Sequence, residues 1–201
     1  MSSITLTFEQ APLTFNLFSV FEAPQKSWKE IRGIAHEWTL FARTKMRELR
    51  SERELFEIYG DIQDLTDTLF DILQEPSSPP ESSILLCKDS EEIPQAIAHF
   101  DKSSNRINIL VTNPNNIQKR LNHRFHRIGA GSAIMLYSIK KTVEAKRESL
   151  KVFSWERSYR FYKEIFFFDS VGHETSLILE LSLEKIKRLI SSGVEPFTLL
   201  E

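Results

Sequence analysis

Apolar and polar residues alternate over Ile4-Thr5-Leu6-Thr7-Phe8, which predicts a strand, whereas Ala11 to Phe21 stays apolar and aromatic without helical spacing and reads as an irregular packed arm. From Ser27 the period changes. Trp28, Ile31, Ala35, Trp38 and Ala42 recur at helical spacing with Lys29, Glu30, Arg32 and Glu37 on other faces, predicting an amphipathic helix to about Leu49. Ser51 then stands before Glu54 as a capping-box pair. The apolar stripe Leu55, Ile58, Ile62, Leu65, Leu69 and Ile72 predicts a second helix ending before Pro76. Stripes of this kind need only a surface to cover, so the tryptophans read as core.

Pro76, Pro79 and Pro80 among the serines of Gln74 to Ser83 break the helical pattern and mark a linker or loop. Beyond it, Ser83 to Lys88, Gln95 to Phe100 and Arg106 to Thr112 read as strands. The last would carry Ile107, Ile109 and Val111 on one face and Asn108, Leu110 and Thr112 on the other. The links Asp89 to Glu92 and Asp101 to Asn105 are short and turn-rich, so these strands should be antiparallel neighbours. Asn113-Pro114-Asn115-Asn116 turns the chain, and a basic loop, Gln118 to Arg127, leads to a glycine turn. Met135, Leu136, Ile139 and Val143 then form a helical stripe with Lys140, Lys141, Glu144 and Lys146 outward. Leu150 to Phe153 reads as a strand, Glu156 to Ile165 as a short helix, Phe166 to Phe168 as a buried strand, Thr175 to Leu181 as a final strand and Leu183 to Ile190 as a closing helix. Strand, turn, helix and strand in that order imply a crossover and at least one parallel pairing.

Composition narrows the classes. With 201 residues, 41% hydrophobic and 27% charged, the chain reads as one domain with a full core. A formal net charge of -2 argues against attraction of the whole surface to nucleic acid or anionic membrane, while leaving a local basic patch open. The single cysteine, Cys87, follows the apolar run Ile84-Leu85-Leu86 and reads as a buried thiol in a reducing compartment. No apolar run approaches about 18 residues and no basic-then-apolar leader opens the chain, so a cytoplasmic location is expected. His36, His123 and His173 lack metal-ligand spacing, so no metal site is expected.

The candidate chemistry centres on His126-Arg127-Ile128-Gly129-Ala130-Gly131-Ser132. Only 6 glycines occur in the chain, and two of them flank one alanine between a strand-like and a helix-like stretch. Glycine serves where φ is positive or where a ligand must approach bare backbone. A helix opening after such a turn aims unpaired N–H groups and a partial positive charge outward, which suits a phosphate. A Walker loop would need a lysine after Gly131, where Ser132-Ala133 stands. A dinucleotide fingerprint would need a third small residue in place of Ile134, and an acid where Phe153-Ser154-Trp155 follows the next strand.

A third pattern fits better. His126-Arg127-Ile128-Gly129-Ala130-Gly131 resembles the turn of the GNAT family of acyl-CoA-dependent N-acetyltransferases, where Gln or Arg, two variable residues, Gly, a variable residue and Gly or Ala join a strand to a helix. Ile109 to Pro114 looks like that family's fourth strand and the proline after it. Ser158 to Phe167 looks like its second hallmark, Ala-x-x-Phe-Tyr-x-x-x-Gly-Phe. The resemblance spans about Ser83 to Leu181. It departs at His126, at Phe166 where Gly is usual, and at Trp155 where an Asn often opens the last helix.

The resemblance implies an α/β (α+β) fold with a mixed, mostly antiparallel central sheet, splayed fourth and fifth strands, and helices on both faces. The whole of 1–201 would be a single acetyltransferase-like domain, with 1–78 the N-terminal strand and helical part and 79–201 the sheet and acyl-CoA-binding part. It implies acetyl-CoA as cosubstrate and an unidentified amine, small molecule or protein, as acceptor. Leu110, Val111 and Thr112 would offer a backbone edge to the pantetheine arm. His126, Arg127, Ile128, Gly129, Ala130, Gly131 and Ser132 would hold the pyrophosphate. Arg124 and Arg127, with Lys119 and Arg120 farther off, would either meet the remaining phosphate or form a solvated surface. Tyr162 matches the family tyrosine that returns a proton to the departing thiolate. No carboxylate base stands on the fourth strand, which leaves a water held by Asn108, Thr112 or His99. Two alternatives stand beside the enzyme. One is a catalytically weak or inactive GNAT-like module that binds acyl-CoA or a protein; the other is nucleic-acid binding through Gln118 to Arg127 with Phe125 stacking, which the net charge makes unlikely. No membrane partner is expected.

Overall fold

Residues 3–10, 14–74, 82–117, 129–173 and 177–200 are described in the computed structural model of the chain. β1 (Ser3–Gln10) and β2 (Thr14–Ala23) form an antiparallel hairpin, with Ser3 opposite Phe21 and Gln10 opposite Thr14. Most of the expected irregular arm is therefore strand. The alternation of β2 is hidden because both its faces are covered: Phe18 and Val20 pack on one side of the sheet, Phe21 and Ala23 on the other. A strand buried on both faces reads as one apolar run.

α1 (Trp28–Glu48) and α2 (Arg53–Gln74) follow as a helical hairpin. α1 buries Trp28, Ile31, Ala35, Trp38 and Ala42 as its spacing predicts. α2 opens one residue later than a Ser51 cap would place it, with the Phe56 N–H donating to the Glu52 carbonyl at 2.9 Å. Its seam is Tyr59, Ile62, Thr66, Leu69 and Leu73, while Leu55, Ile58, Leu65 and Ile72 flank it half-buried. Thr39 donates to Thr66 at 2.8 Å across the hairpin and Thr66 donates on to the Ile62 carbonyl, so the buried hydroxyls are paired. The proline-rich stretch expected as a linker lies largely outside the described residues.

β3 (Ser82–Lys88), β4 (Pro94–Asp101) and β5 (Arg106–Thr112) are antiparallel neighbours, as the short turns predict. α3 (Ala130–Glu144) crosses over to β6 (Ser149–Phe153), which runs parallel to β5. β7 (Asp169–Ser170), β8 (Ile178–Ser182) and α4 (Leu183–Ser191) follow, and a 3-10 turn at Phe197–Leu200 returns Phe197 to the core. The strand order is β1-β2-β3-β4-β5-β6-β8-β7, antiparallel except at β5–β6. This is the mixed sheet implied above, but the N-terminal hairpin adds a strand, so the parallel pair is the fifth and sixth. α1 and α2 cover one face through Ile84, Leu86, Ile97, Ile109 and Val111. α3 and α4 cover the other through Leu85, Cys87, Ala96, Ala98, Phe100, Ile107 and Ile186.

Two local expectations fail for physical reasons. The ladder of β4 and β5 shifts between His99 and Phe100, setting His99 opposite Ile109 and Phe100 opposite Ile107. Asn108 is thus an extra, bulged residue, and Ile107 faces α3 while Ile109 and Val111 face α1 and α2. Phe166 to Phe168 is not a strand. Phe166 and Phe168 are both buried, but Phe167 between them has φ 58 and folds the chain back, leaving only Asp169–Ser170 extended. Among the described residues, no helix is long and apolar enough to cross a membrane.

Candidate active site at the parting of β5 and β6

β5 and β6 pair only through Arg106 with Lys151 and Ile107 with Val152. β5 then runs on to Thr112, whereas β6 stops at Phe153. The chain is drawn aside there because the Ser154 N–H donates to the Leu177 carbonyl at 2.7 Å. The two strands therefore part above Ile107, and the bulged Asn108 sits at the base of the gap.

The N-terminus of α3 faces this opening. Its first intrahelical bond runs from the Ala133 N–H to the Gly129 carbonyl at 2.9 Å, so the amides of Ala130, Gly131 and Ser132 have no acceptor within the helix. No acidic residue stands in the first turn. Gly129 is extended, at φ -130 and ψ -165, and Gly131 is helical, so neither glycine is there for a left-handed backbone. What Gly131 supplies is room. A Cβ at this position would lie 3.4 Å from Thr112 Cγ2, 3.9 Å from Phe161 Cζ and 4.0 Å from Leu110 Cδ2. Three stretches that lie far apart in sequence thus meet at one point: the upper half of β5, the glycine turn and the Phe161-Tyr162 pair.

Tyr162 belongs to a five-residue π-helix, Phe161–Ile165, a local widening that recurs at functional sites. Its ring packs edge-on against Phe161 and Phe168, with centroids 5.1 and 6.0 Å away. Burial pushes its phenol pKa well up. The two departures from the expected hallmark are accommodated nearby. Ser158 accepts from the Trp155 N–H at 3.1 Å and donates to its carbonyl at 3.0 Å, so the backbone of the residue that opens this helix is paired. Phe166 takes an ordinary conformation, φ -107, and the left-handed turn falls on Phe167. Arg124, His126, Arg127 and Ile128, expected around the phosphates, lie outside the described residues, as do Lys119 and Arg120.

The structure brings His99 and Asn108 together but not Thr112, which is at the far end of β5 beside Gly131. Arg106 Nε donates to Asn108 Oδ1 at 2.5 Å, and Asn108 Nδ2 approaches His99 Nδ1 at 3.4 Å. With the amide held this way, Nδ1 is the acceptor and the proton sits on Nε2, which is buried without a hydrogen-bond partner. Burial lowers the His99 pKa, opposed by Asp101 and reinforced by Arg106. Burial thus sets this ring toward its neutral form.

On the α2 side, Arg157, just beyond β6, pairs with Glu57 and, at 2.9 Å, with Asp61. Those carboxylates are one helical turn apart on α2, which packs on β5 through Tyr59 and Ile62, so the pairs tie the two sides of the gap together. Hydrogen bonds from Arg53 and Arg157 lower the Glu57 pKa, while burial raises that of Asp61. Arg157 and Glu57 are 100 positions apart and carry no local signal, which is why this pairing is not legible in the sequence. Cys87 is fully buried, and burial pushes its thiol pKa up to about 12, consistent with an inert core thiol.

No protein-family model matches this chain, and no curated protein matches it. Two similar solved structures are a KacTA–DNA complex and a chimera of spermidine N-acetyltransferase SpeG from Vibrio cholerae and hSSAT. The first has a TM-score of 0.43 at 12% identity, covering 63% of this chain and 86% of that one. The second has a TM-score of 0.39 at 8% identity, covering 81% and 92%. Similarity this low carries no functional argument, and the reading of the gap rests on its own geometry.

Proposed function

We propose that this chain is an acyl-CoA-dependent N-acetyltransferase of the GNAT kind, moving the acetyl group of acetyl-CoA to an amine. The observation that carries the reading is the meeting of Gly131 with Thr112, Leu110 and Phe161 at the open end of the strand pair. Acetyl-CoA fits the groups found there. Its pyrophosphate matches the outward amides of Ala130, Gly131 and Ser132 beside Gly129, with no first-turn acid to repel it. Its pantetheine amides match the edge of β5 at Leu110, Val111 and Thr112, above the end of the ladder. Arg124, His126, Arg127 and Ile128 would complete the phosphate side.

The chemistry follows from what these side chains offer. The amine nitrogen attacks the thioester carbon, the new C–N bond forms as the C–S bond breaks, and the sulfur takes a proton from the Tyr162 phenol. Burial raises its pKa, so the phenol is protonated at neutral pH, and the phenolate left after the transfer takes a proton back from solvent. The amine's own proton leaves to solvent, since the His99 ring is buried and its Nδ1 faces the Asn108 amide. The acceptor would enter past the Arg157, Glu57 and Asp61 pairs on the α2 side.

An acceptor screen tests this reading: acetyl-CoA with polyamines, aminoglycosides and lysine peptides, followed by thiol release and product mass. Release of coenzyme A with an acetylated product is expected for at least one class. Binding of acetyl-CoA without release across the screen would instead assign the chain to an acyl-CoA-binding module.

A further inference from the structure

A second concave surface lies away from the gap, between the C-terminal half of α1 and the N-terminal half of α2. It encloses about 310 Å³ and is lined by Arg43, Met46, Arg47, Arg50, Phe56 and Gln63. We infer that this groove binds a nucleotide unit, a phosphate with a planar base attached, independently of the site between β5 and β6.

Its charge is the first ground. Arg43, Arg47 and Arg50 fall four and three residues apart, which puts all three guanidinium groups on one stripe of α1 and its exit. None of the six lining side chains is acidic. Arg43 is held by Asp67 at 2.9 Å. Arg47 and Arg50 make no ion pair among the described residues, while the nearby Glu48 and Glu57 are taken by Lys45 at 2.6 Å and Arg53 at 2.9 Å. The helix dipole accounts for a cation in the last turn, but not for three arginines turned onto one groove. An anion between Arg47 and Arg50 would pair the two guanidinium groups left without an acid, and guanidinium forks suit phosphate oxygens.

Phe56 is the second ground. It is half-buried in the same groove, whereas Met46 reaches from the groove into the core beneath the helices. A bare phosphate has no use for a phenyl ring, whereas a base has a flat face for Phe56 to stack on. The volume is at the low end for small-ligand pockets, which run from about 300 Å³, so it takes one nucleotide unit.

Isothermal titration with ATP and with pyrophosphate, and anisotropy with a labelled single-stranded RNA, test this on the full chain. The variants are Arg47→Ala/Arg50→Ala, Phe56→Leu and Gly131→Glu. The double variant should weaken every probe at least about tenfold and flatten the RNA salt slope by about 1.4, at roughly 0.7 per lost phosphate contact. Phe56→Leu should weaken ATP and RNA about 5- to 150-fold, the range of one base stack, and leave pyrophosphate unchanged. Gly131→Glu, which closes the phosphate site at the start of α3, should keep the groove's binding of ATP and RNA and lose at most a separate component at α3. Equal binding of ATP and RNA identifies a free nucleotide as the source, and binding of RNA alone identifies a strand; both support the groove. The inference is overturned if no probe binds, if the double variant keeps the parent's affinity, if Phe56→Leu leaves ATP and RNA unchanged, or if Gly131→Glu alone abolishes binding.

Discussion

Gly131 and Thr112 face each other across the mouth of the gap, close enough that a Cβ on the glycine would touch the threonine methyl at 3.4 Å. That distance is ordinary van der Waals contact, so one added carbon fits and a longer side chain does not. Gly131→Ala should therefore fold normally. Because Gly131 sits in a helix, the variant should be unchanged in stability or gain up to about 1 kcal/mol. Urea denaturation checks this, and a clear loss would mean that the walls stand closer than described.

Tyr162 separates binding from proton transfer. Tyr162→Phe keeps the ring against Phe161 and Phe168 and removes only the hydroxyl. Turnover should fall by about 10²–10⁴, the range for loss of one general acid, with the acetyl-CoA Kd nearly unchanged. Single-turnover transfer and titration on both proteins decide it: unchanged turnover would assign the residue to packing, and equal loss of both would make it a cosubstrate contact.

His99 should couple stability to pH. Its pKa is lowered in the folded state, chiefly by burial, so its contribution is present above the unfolded value near 6.5 and is lost as pH falls through that value toward the folded one. Relative to His99→Leu, the parent should lose stability as pH falls through about 6.5, by at most about 1.4 kcal/mol per pH unit for one proton. Parallel stability curves for the two proteins would show that the imidazole is not buried in neutral form.

Most elements were legible because one face of each is wet. α1 shows its stripe in Trp28, Ile31, Ala35 and Trp38, and β3 to β5 are separated by turn-rich links. β2 was not legible as a strand, because Phe18 is buried on one face while Ala23 and the half-buried Phe21 pack on the other, which erases the alternation. The bulge at Asn108 was hidden for a related reason: a register shift belongs to a pair of strands, and neither strand shows it alone. Phe166 to Phe168 misled in the other direction, since three aromatic residues suit a strand and equally suit a tight turn packed into the core around Phe197. At the candidate site, Gly131, Leu110, Thr112 and Tyr162 were each picked out by a motif. The base of the gap, where Arg106 orients Asn108 toward His99, depends on side-chain geometry that no spacing encodes.

Titration of acetyl-CoA into the parent and Gly131→Glu tests the central claim most directly, with Gly131→Ala and a circular dichroism melt on each protein to confirm folding. A glutamate at 131 would fill the space bounded by Thr112, Leu110 and Phe161 and set a negative charge beside the amides of Ala130 and Ser132. The account predicts saturable binding to the parent, retained in weakened form by Gly131→Ala and abolished in a folded Gly131→Glu. No binding to the parent, or parent-like binding to Gly131→Glu, would contradict it.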